Sequence, residues 1–291
     1  MKLKTIVFGA EGQLGSMLQN CVAERNLAVH FIFLNAKQGD ILNREIIETI
    51  FVTHQPQFVI NCAAYTAVDL AEKEQSLARK LNVTGVENLA ELCNSHNIIL
   101  IHLSTDFVFG RNYGKAIVEE APAEPESTYG STKLDGELAI QKTLDRHLII
   151  RTSWLYSEYG HNFYKTMLNL AESKDEINVV GDQIGTPTYA RDLANAIISI
   201  IESEPQHFGI YHYSNEGAAS WYDFAVAIFE YSNLTTKVNY IRTQDYPTAA
   251  KRPKFSVLEK YKIKETFNLS IPNWRESLKS CIQRSAGSKK L

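Results

Sequence analysis

The sequence predicts an α/β fold, with a doubly wound parallel sheet in the first half of the chain and a smaller α+β lobe in the second half. Three observations predict it: short apolar runs alternate with amphipathic segments, a glycine-rich turn follows the first run, and the alternation becomes irregular beyond residue 153. We therefore assign residues 1–153 to a sheet domain and residues 154–291 mainly to a second lobe. We expect some later segments to return to the sheet.

Five apolar runs in the first half are short and rich in β-branched and aromatic residues, which is typical of strands. They are residues 5–8, 29–34, 58–63, 98–103 and 147–151. The segments between them carry apolar residues at three- and four-residue spacing and predict helices at 14–25, 44–54, 67–83 with its continuation 86–96, and 132–144. Because parallel strands need crossover connections, these helices cover both faces of the sheet.

The sequence of the second half predicts fewer helices and strands, and their order is less regular. Helical spacing occurs at 162–173, 189–202 and 220–231, and strand-like runs occur at 178–180, 209–214 and 237–241. Proline- and glycine-containing turns separate them. The polar end at 285–290 is typical of a loose terminus. We expect this half to form the lobe that faces the substrate.

Composition excludes several classes of protein. The 291 residues are 44% apolar and 22% charged, which excludes disordered and fibrous chains. The 30 Lys and Arg balance 33 Asp and Glu without long blocks of one sign, so we expect no nucleic-acid partner. No run of about 18 apolar residues predicts a membrane span. Four scattered cysteines without a signal peptide favour reduced thiols and a cytoplasmic protein.

The turn after the first predicted strand has the spacing of a phosphate-binding loop. Glycines stand at positions 9, 12 and 15, where a tight turn, a close backbone approach and helix–strand packing exclude side chains. The amides and dipole of the following helix would face a pyrophosphate. We therefore predict a Rossmann-type dinucleotide site that includes Gly9 and Gly12; the alternative is a plain turn.

The residues after the second predicted strand bear on which dinucleotide binds. The acid that usually reads the ribose there is absent, and the chain has Asn35 followed by Lys37. Asn35 tolerates a 2′-phosphate and Lys37 could pair with it, which favours NADPH, although Lys37 could equally be a solvated surface residue and NADH is an alternative. Asp40 and Ile41 are placed to contact the adenine, but Asp40 could instead cap the next helix.

A tyrosine and a lysine four residues apart provide a candidate for catalysis. Tyr129 and Lys133 lie on one face of a predicted helix, one turn apart. An ammonium and a nicotinamide cation nearby would lower the phenol pKa from about 10, so that Tyr129 could exchange a proton with a carbonyl oxygen. Thr105, at the carboxyl edge of the sheet, could orient the same oxygen. The alternative for Tyr129 is an amphipathic residue at a helix start.

Taken in order, these motifs resemble the extended short-chain dehydrogenase/reductase family, and within it the dTDP-4-dehydrorhamnose reductases. The resemblance extends over nearly the whole chain. The motifs that carry it are GQLG at 12–15, NCAAYTAVD at 61–69, STDFVF at 104–109, YGSTKLDGE at 129–137, RTSWLY at 151–156, DQIGTPT at 182–188 and AKRP at 250–253.

The resemblance implies roles for individual residues. Tyr129 would donate the proton, Lys133 would hold the nicotinamide ribose, and Thr105 would position the 4-keto oxygen of a dTDP-sugar. The further residues that would line the cofactor are Gly12, Gln13, Leu14, Asp40, Ile41, Ala63, Ala64, Tyr65 and Thr66. Those that would lie near the substrate are Val68, Asp69, Asp106, Trp154 and Arg252. The implied reaction is the NADPH-dependent reduction of dTDP-4-dehydro-β-L-rhamnose to dTDP-L-rhamnose.

Two of these substrate residues also suit their roles chemically. The guanidinium fork of Arg252 fits a diphosphate, although a surface arginine before a proline turn is the alternative. Trp154 offers a flat apolar face to a deoxysugar, although a core tryptophan would be equally ordinary.

Departures from the family pattern leave other questions open. Relatives can use magnesium in dimer formation through acidic side chains, but Ser16 and Met17 follow Gly15 without an acid, so we predict no metal; a homodimer is compatible with the resemblance. Related dehydratases place a glutamate where Phe107 stands, which disfavours dehydration. An epimerase or another reductase of the superfamily is one alternative. A non-catalytic subunit, like the regulatory subunit of methionine adenosyltransferase, is another.

Overall fold

The computed structural model describes residues 3–110 and 114–288. In the first half the strands are β1 Lys4–Phe8, β2 His30–Leu34, β3 Phe58–Asn61, β4 Ile99–Thr105 and β5 His147–Thr152. The helices are α1 Gln13–Ala23, α2 Arg44–His54, α3 Val68–Ala71, α4 Gln75–Arg79, α5 Gly85–Ser95 and α6 Thr128–Thr143. A π-helical turn at Lys80–Thr84 joins α4 to α5, and a 3₁₀ turn at Asp106–Val108 follows β4.

The second half contains shorter strands and five helices among the described residues. The strands are β6 Leu155–Tyr156, β7 Glu176–Val180, β8 Ile184–Gly185, β9 Thr188–Tyr189, β10 Gly209–His212, β11 Ala219–Ser220 and β12 Lys237–Ile241. The helices are α7 Phe163–Ala171, α8 Ala190–Glu202, α9 Trp221–Tyr231, α10 Tyr261–Phe267 and α11 Trp274–Ser288, with a 3₁₀ turn at Thr243–Asp245.

The central sheet has six parallel strands in the order β10-β5-β4-β3-β1-β2, which confirms the predicted α/β fold class. The strand order reverses between β1 and β3. In such sheets a crevice opens outside the carboxyl ends of the strands at the point of reversal. The turn after β1 and the segment after β3 therefore meet at the place where ligands bind in this class of fold.

Residues on both faces of the sheet are buried, as the doubly wound arrangement requires. Along β1, Val7 packs on one face in a cluster with Met17 of α1, and Ile6 and Phe8 pack on the other face with Phe51 of α2. This alternation follows from the two-residue period of a strand. The second face also receives α5 and α6, and α6 carries Tyr129 and Lys133.

Two elements of the second half return to this sheet. Strand β10 pairs in parallel with β5, with Gly209 opposite Leu148 and His212 opposite Arg151. Helix α8 packs on α1, and Arg191 of α8 donates to Glu24 at 2.7 Å. The division at residue 153 stays a prediction.

The predicted helix at 67–83 is interrupted, which corrects the sequence analysis. The chain forms α3, α4 and a π-helical turn, and the wider turn places Asn82 inward, fully buried. The Asn82 amide accepts from the Tyr65 backbone N–H at 2.9 Å and donates to the Tyr65 carbonyl and the Thr132 hydroxyl, each at 3.1 Å. The interruption therefore pins the segment after β3 to α6.

Two helix ends were also predicted wrongly. Helix α6 begins at Thr128 rather than Thr132, because the Ser127 hydroxyl accepts from the Gly130 N–H at 3.1 Å and caps the helix. The end predicted to be loose is helical as far as Ser288, and the Ser285 hydroxyl donates to the Cys281 carbonyl at 3.0 Å. Residues 289–290 of that prediction lie outside the described residues.

Candidate active site

The glycine turn after β1 has the backbone that the sequence predicts. Gly9 has a φ of +76°, and a Cβ there would lie 2.6 Å from the Ala63 nitrogen. A Cβ on Gly15 would lie 2.4 Å from the Gly9 carbonyl oxygen. Gly12 is the N-cap of α1, and no side chain caps the first turn. The first-turn amides therefore form a cradle that fits a phosphate group.

The two residues after Gly12 are held in different ways. The Gln13 amide donates to the Leu155 carbonyl at 3.1 Å and accepts from Ser157 at 3.1 Å and from Asn162 at 2.7 Å. Its side chain thus ties the glycine turn to the second half of the chain. The Leu14 side chain is buried in the core, so only its backbone faces the turn.

The polar residues after β2 form an exposed group near the glycine turn. The Asn35 amide donates to the Glu11 carboxylate at 3.1 Å and accepts from the Lys37 N–H at 3.1 Å. An acid therefore lies beside Asn35 after all, although it comes from the glycine turn and the sequence analysis missed it. Lys37 is exposed, which both of its interpretations allow.

Asp40 does not cap α2, which excludes that alternative. Asn43 is the cap and accepts from the Ile46 N–H at 3.1 Å, whereas Asp40 accepts from the Leu42 N–H at 2.9 Å. Ile41 is buried against Gly85 of α5. The contact of Asp40 and Ile41 with adenine stays a prediction.

The segment after β3 lies across the crevice from the glycine turn. The Ala63 N–H donates to the Asn61 side chain at 3.0 Å, and Ala64 follows it, half-buried. Tyr65 turns its hydroxyl away and donates to Glu74 at 2.8 Å. Thr66 is exposed and lines the cleft described below.

Tyr129, Thr105 and Lys133 converge where α6 meets the end of β4. The Thr105 hydroxyl lies close enough to the Tyr129 phenol to act on its pKa, and it accepts from the Phe107 N–H at 3.2 Å. The Tyr129 ring packs edge-on against Phe107, with the ring centroids 5.6 Å apart. Lys133, one turn along α6, is 2% exposed. The three side chains that the sequence analysis grouped are brought together.

Burial sets the ionisation of this group in the ligand-free protein. It raises the pKa of Tyr129 to about 12, against the Thr105 hydrogen bond, which lowers it; the Asp106 carboxylate raises it further. Burial lowers the pKa of Lys133 to about 8, although Glu137 and Cys62 act in the opposite direction. In the ligand-free protein burial therefore favours the protonated phenol, and the lowering of its pKa beside a bound nicotinamide cation stays a prediction.

Lys133 contacts two groups that the sequence analysis did not assign to the site. Its ammonium nitrogen lies 3.1 Å from Nε2 of His102 and 2.6 Å from the Leu103 carbonyl oxygen. Nδ1 of the same histidine lies 3.1 Å from the Asn61 amide nitrogen, and the register of β3 and β4 places those two residues side by side. A histidine within an otherwise apolar strand was the signal that could have revealed this contact.

Glu137, one turn beyond Lys133 on α6, forms a buried ion pair. Its carboxylate accepts from Arg151 of β5 at 2.9 and 2.6 Å and from the Ser104 hydroxyl. Both side chains of the pair are nearly inaccessible, at 4% for Arg151 and 1% for Glu137. Sequence reasoning missed this pair, which fixes the end of β4 against α6.

Asp106 follows Thr105 and is 2% exposed. Burial raises its pKa to about 6, although hydrogen bonds from Ser256 and Thr105 lower it. The Thr105 hydroxyl donates to the carboxyl at 3.2 Å. A second titratable group therefore lies directly beside the reacting side chains.

A cleft of about 700 Å³ lies between the segment after β3 and the second half of the chain. Its lining includes Thr66, Val68, Asp69, Phe163, Trp221 and Arg252. Arg252 lies on the wall as a bidentate partner of Asp69, at 3.0 and 2.6 Å. Arg252 holds down the pKa of the Asp69 carboxyl, chiefly through this hydrogen bonding. The predicted diphosphate-binding residue is thus part of the cleft and is paired with a carboxylate.

Trp154 lies behind the cleft wall. Its ring stacks on Trp221 with centroids 3.5 Å apart and planes 8° apart, and a Cβ on Gly185 would lie 2.6 Å from the Trp154 ring. Trp154 has a φ of +46°, which is unusual for a bulky residue. Trp221 therefore presents its ring to the cleft, and the sequence analysis did not single it out. Contact of Trp154 with the sugar stays a prediction.

Within residues 3–110 and 114–288, no three His, Cys, Asp or Glu side chains are grouped so that they could hold a metal ion. No helix in the described part of the chain is long and apolar enough to cross a membrane.

Comparison with known proteins relates the whole chain to one family. Residues 3–286 match the model of the RmlD substrate binding domain. The dTDP-4-dehydrorhamnose reductase of Aggregatibacter actinomycetemcomitans is 40% identical over 95% of this chain and 97% of its own. The spore coat polysaccharide biosynthesis protein SpsK of Bacillus subtilis is 40% identical over 96% of this chain and 97% of its own.

A solved structure agrees with these relatives. The dTDP-4-dehydrorhamnose reductase of Bacillus anthracis, in complex with NADP, superposes with a TM-score of 0.93 at 37% identity, covering 98% of this chain and 100% of that one. The resemblance stated from the motifs is confirmed. The chain belongs to the RmlD substrate binding domain family, the family of the dTDP-4-dehydrorhamnose reductases.

Proposed function

We propose that the protein uses NADPH to reduce the 4-keto group of dTDP-4-dehydro-β-L-rhamnose, which yields dTDP-L-rhamnose. The observation that carries this proposal is the placement of Tyr129, Thr105 and Lys133 where α6 meets the end of β4, in a chain of this family. NADPH and NADP⁺ are the cofactor pair that the Bacillus anthracis structure supports. NADH is the alternative donor.

The chain supplies a cradle that fits a dinucleotide. Gly9 and Gly12 leave the first-turn amides of α1 uncovered, and any Cβ on Gly9 would collide with Ala63. These amides would hold the diphosphate, and Asn35 and Lys37 would lie near the adenosine ribose. When bound, the reduced nicotinamide supplies the hydride that adds to the carbonyl carbon.

Tyr129 supplies the proton that completes the reduction. Because burial raises the pKa of the phenol, Tyr129 can hold its proton and donate it to the carbonyl oxygen as the carbon is reduced. The Thr105 hydroxyl, close to the phenol, would hold the same oxygen in line. Lys133 would position the nicotinamide ribose through an N–H that is not donated to the Leu103 carbonyl.

The cleft would hold the sugar nucleotide. Arg252 would pair with the diphosphate, and Val68, Asp69 and Asp106 would lie around it. The rings of Phe163 and Trp221 offer apolar faces that suit a deoxysugar or a base. Holding the ketone beside the hydride donor and the phenol would supply a large part of the rate enhancement.

Neither alternative function has a specific observation in its favour. Phe107 packs on Tyr129 at the position where related dehydratases carry a glutamate base, and an aromatic ring cannot accept a proton there. Thr105, Tyr129 and Lys133 are all in place, which argues against a non-catalytic subunit. We also propose a cytoplasmic location, which agrees with four free cysteines, and a homodimer as the assembly to test.

The decisive experiment measures oxidation of NADPH and of NADH by the purified protein. We expect turnover with dTDP-4-dehydrorhamnose, little with dTDP-4-keto-6-deoxyglucose, and a higher kcat/KM for NADPH. Oxidation with the second sugar alone would identify a different reductase. Conversion of a sugar without added reductant, by protein that retains tightly bound NAD, would identify an epimerase. Activation of a partner enzyme without NADPH oxidation would identify a regulatory subunit.

A further inference from the structure

Asn61 and His102 form a pair whose hydrogen-bonding direction is fixed by the backbone. The Asn61 side-chain oxygen accepts from the Ala63 N–H at 3.0 Å, so this oxygen cannot be exchanged with the amide nitrogen without losing that bond. The nitrogen therefore faces Nδ1 of His102, 3.1 Å away. Because an amide nitrogen only donates, Nδ1 of His102 must accept.

This direction determines where His102 carries its proton. His102 is fully buried, and burial holds the pKa of the ring well below its usual value. A neutral ring has one N–H, and since Nδ1 accepts, that N–H is on Nε2. Nε2 lies 3.1 Å from Nζ of Lys133. The histidine therefore directs a donor at the lysine.

An ammonium group cannot satisfy that contact. It has three donors and no lone pair, whereas the neutral amine can accept from Nε2–H and still donate to the Leu103 carbonyl oxygen at 2.6 Å. The groups that favour the ammonium are both weakened. The Glu137 carboxylate is engaged by Arg151 and Ser104, and burial raises the pKa of the Cys62 thiol to about 12, which keeps it neutral.

We propose that His102 is a positioning residue that weakens the hold of Lys133 on its proton in the ligand-free protein, through the ring tautomer that Asn61 fixes. The inference rests on the proposed function for its significance, because a reductase needs Tyr129 as a phenol. A permanent ammonium one turn away would favour the phenolate instead. By favouring the neutral amine, His102 would weaken that effect and help Tyr129 to keep its proton.

The first test is ¹⁵N NMR of ligand-free protein with labelled histidine rings. The His102 signals are assigned from their loss in His102→Gln. We expect a bare Nδ1 and a protonated Nε2. Two other histidines provide references in the same spectrum, because Nδ1 of His212 lies 3.1 Å from the Ile117 carbonyl oxygen and Nδ1 of His147 faces the Leu144 carbonyl. Both must carry the opposite tautomer. A protonated Nδ1 on His102 would overturn the proposal.

The second test reverses the tautomer with the isosteric change Asn61→Asp. One carboxylate oxygen can keep the Ala63 N–H and the other can accept from His102 Nδ1–H, so that Nε2 becomes an acceptor for an ammonium. We expect the ring signals to exchange roles. We also expect the ¹³C titration of the Lys133 ε-carbon, assigned with Lys133→Met, to move up by about one pH unit or more, about a tenfold change in proton affinity.

A matched control separates the tautomer from the added charge. Asn82→Asp also adds a buried carboxylate next to α6, but Asn82 contacts Tyr65 and Thr132 rather than His102. We expect it to leave the His102 tautomer unchanged. A Lys133 titration that rises in Asn61→Asp while the tautomer stays the same would overturn the proposal. These readouts need no turnover, so a missing reductase activity would refute the proposed function and leave this inference standing.

Discussion

Arg252 donates to both carboxylate oxygens of Asp69, at 3.0 and 2.6 Å, so the guanidinium fork on the cleft wall is already engaged before any anion binds. Asp69 also accepts from the Ala250 N–H at 3.0 Å, which fixes the backbone that carries Arg252. The carboxylate thus orients the arginine and competes with a ligand for it. A diphosphate must share or replace this partner.

We expect Arg252→Gln to raise the KM for the sugar nucleotide with little change in kcat. The loss of charge-assisted hydrogen bonds costs about 1.5–3 kcal/mol, or about 10- to 150-fold in binding. Steady-state kinetics at saturating NADPH measures both constants. Arg275→Gln is the control, because Arg275 stacks on Trp274 away from the cleft. A lower kcat at unchanged KM would assign Arg252 to the chemical step.

Tyr129→Phe should retain cofactor binding and lose about 10²–10⁴-fold in kcat, because the variant lacks the proton donor. Fluorescence titration with NADPH and single-turnover kinetics measure the two properties. Tyr164→Phe removes a hydroxyl that bonds to Ser285 at 3.2 Å outside the site, and it should keep full activity. Retention of a tenth of the wild-type rate by Tyr129→Phe is incompatible with the assigned role.

Asp106 should make the stability of the protein depend on pH in the direction opposite to that of a paired carboxylate. Burial raises its pKa from 3.8 to about 6, so the folded state holds the proton more tightly than the unfolded state. The resulting stabilisation is complete below the unfolded value and is lost as the pH rises through about 6. As the pH rises through that range, the free energy of unfolding of Asp106→Asn should increase relative to that of the wild type by about 3 kcal/mol.

Urea unfolding at a series of pH values measures this difference. If the free energies of unfolding of Asp106→Asn and wild type differ by the same amount at every pH, the pKa of the Asp106 carboxyl is not raised in the folded protein.

Glu11→Gln should increase the preference for NADPH over NADH. The Glu11 carboxylate lies 3.1 Å from the Asn35 amide, where its charge would repel a 2′-phosphate. At an exposed site the effect is about 0.2–1 kcal/mol, or up to about fivefold, and it should shrink with added salt. Lys37→Gln should act in the opposite direction. The ratio of kcat/KM values for the two cofactors measures both, and equal ratios in all three proteins would contradict the placement.

Glu137→Gln should destabilise the fold by about 3–5 kcal/mol, because it leaves the guanidinium of Arg151 buried without its counter-charge. Glu91→Gln is the matched comparison: it breaks an ion pair with Arg44 whose two side chains are about half exposed, and it should cost about 1 kcal/mol or less. Chemical denaturation measures both. Similar losses of unfolding free energy in the two variants would show that the buried pair of Glu137 contributes no more to stability than the exposed pair of Glu91.

The fold was largely predictable because its signals are local. β1 is a short apolar run because both faces of the sheet are buried, and α1 and α2 carry apolar residues at three- and four-residue spacing because each buries one face. The glycine turn was predictable because Gly9 and Gly15 are required by close backbone contacts. The interruption before α5 was not, because Asn82 turns inward to bind Tyr65, a partner that only the tertiary structure supplies.

The site was predictable in part, for the same reason. Tyr129 and Lys133 share a helix face by spacing alone, and Thr105 follows a strand end. The ionisation of Lys133 depends on His102 and burial, which no spacing reveals. The surroundings of Trp154 could not be predicted either, because its ring stacks on Trp221, which lies 67 positions further along the chain.

The position of β10 at the edge of the sheet has a consequence for synthesis. Its hydrogen bonds to β5 form only after residue 212 has left the ribosome, so the sheet of the first half is completed by a strand that is translated late. A fragment that stops at residue 153 would expose the backbone edge of β5 to other chains. A truncated chain that lacks β10 is therefore a poor module for fusion or domain exchange.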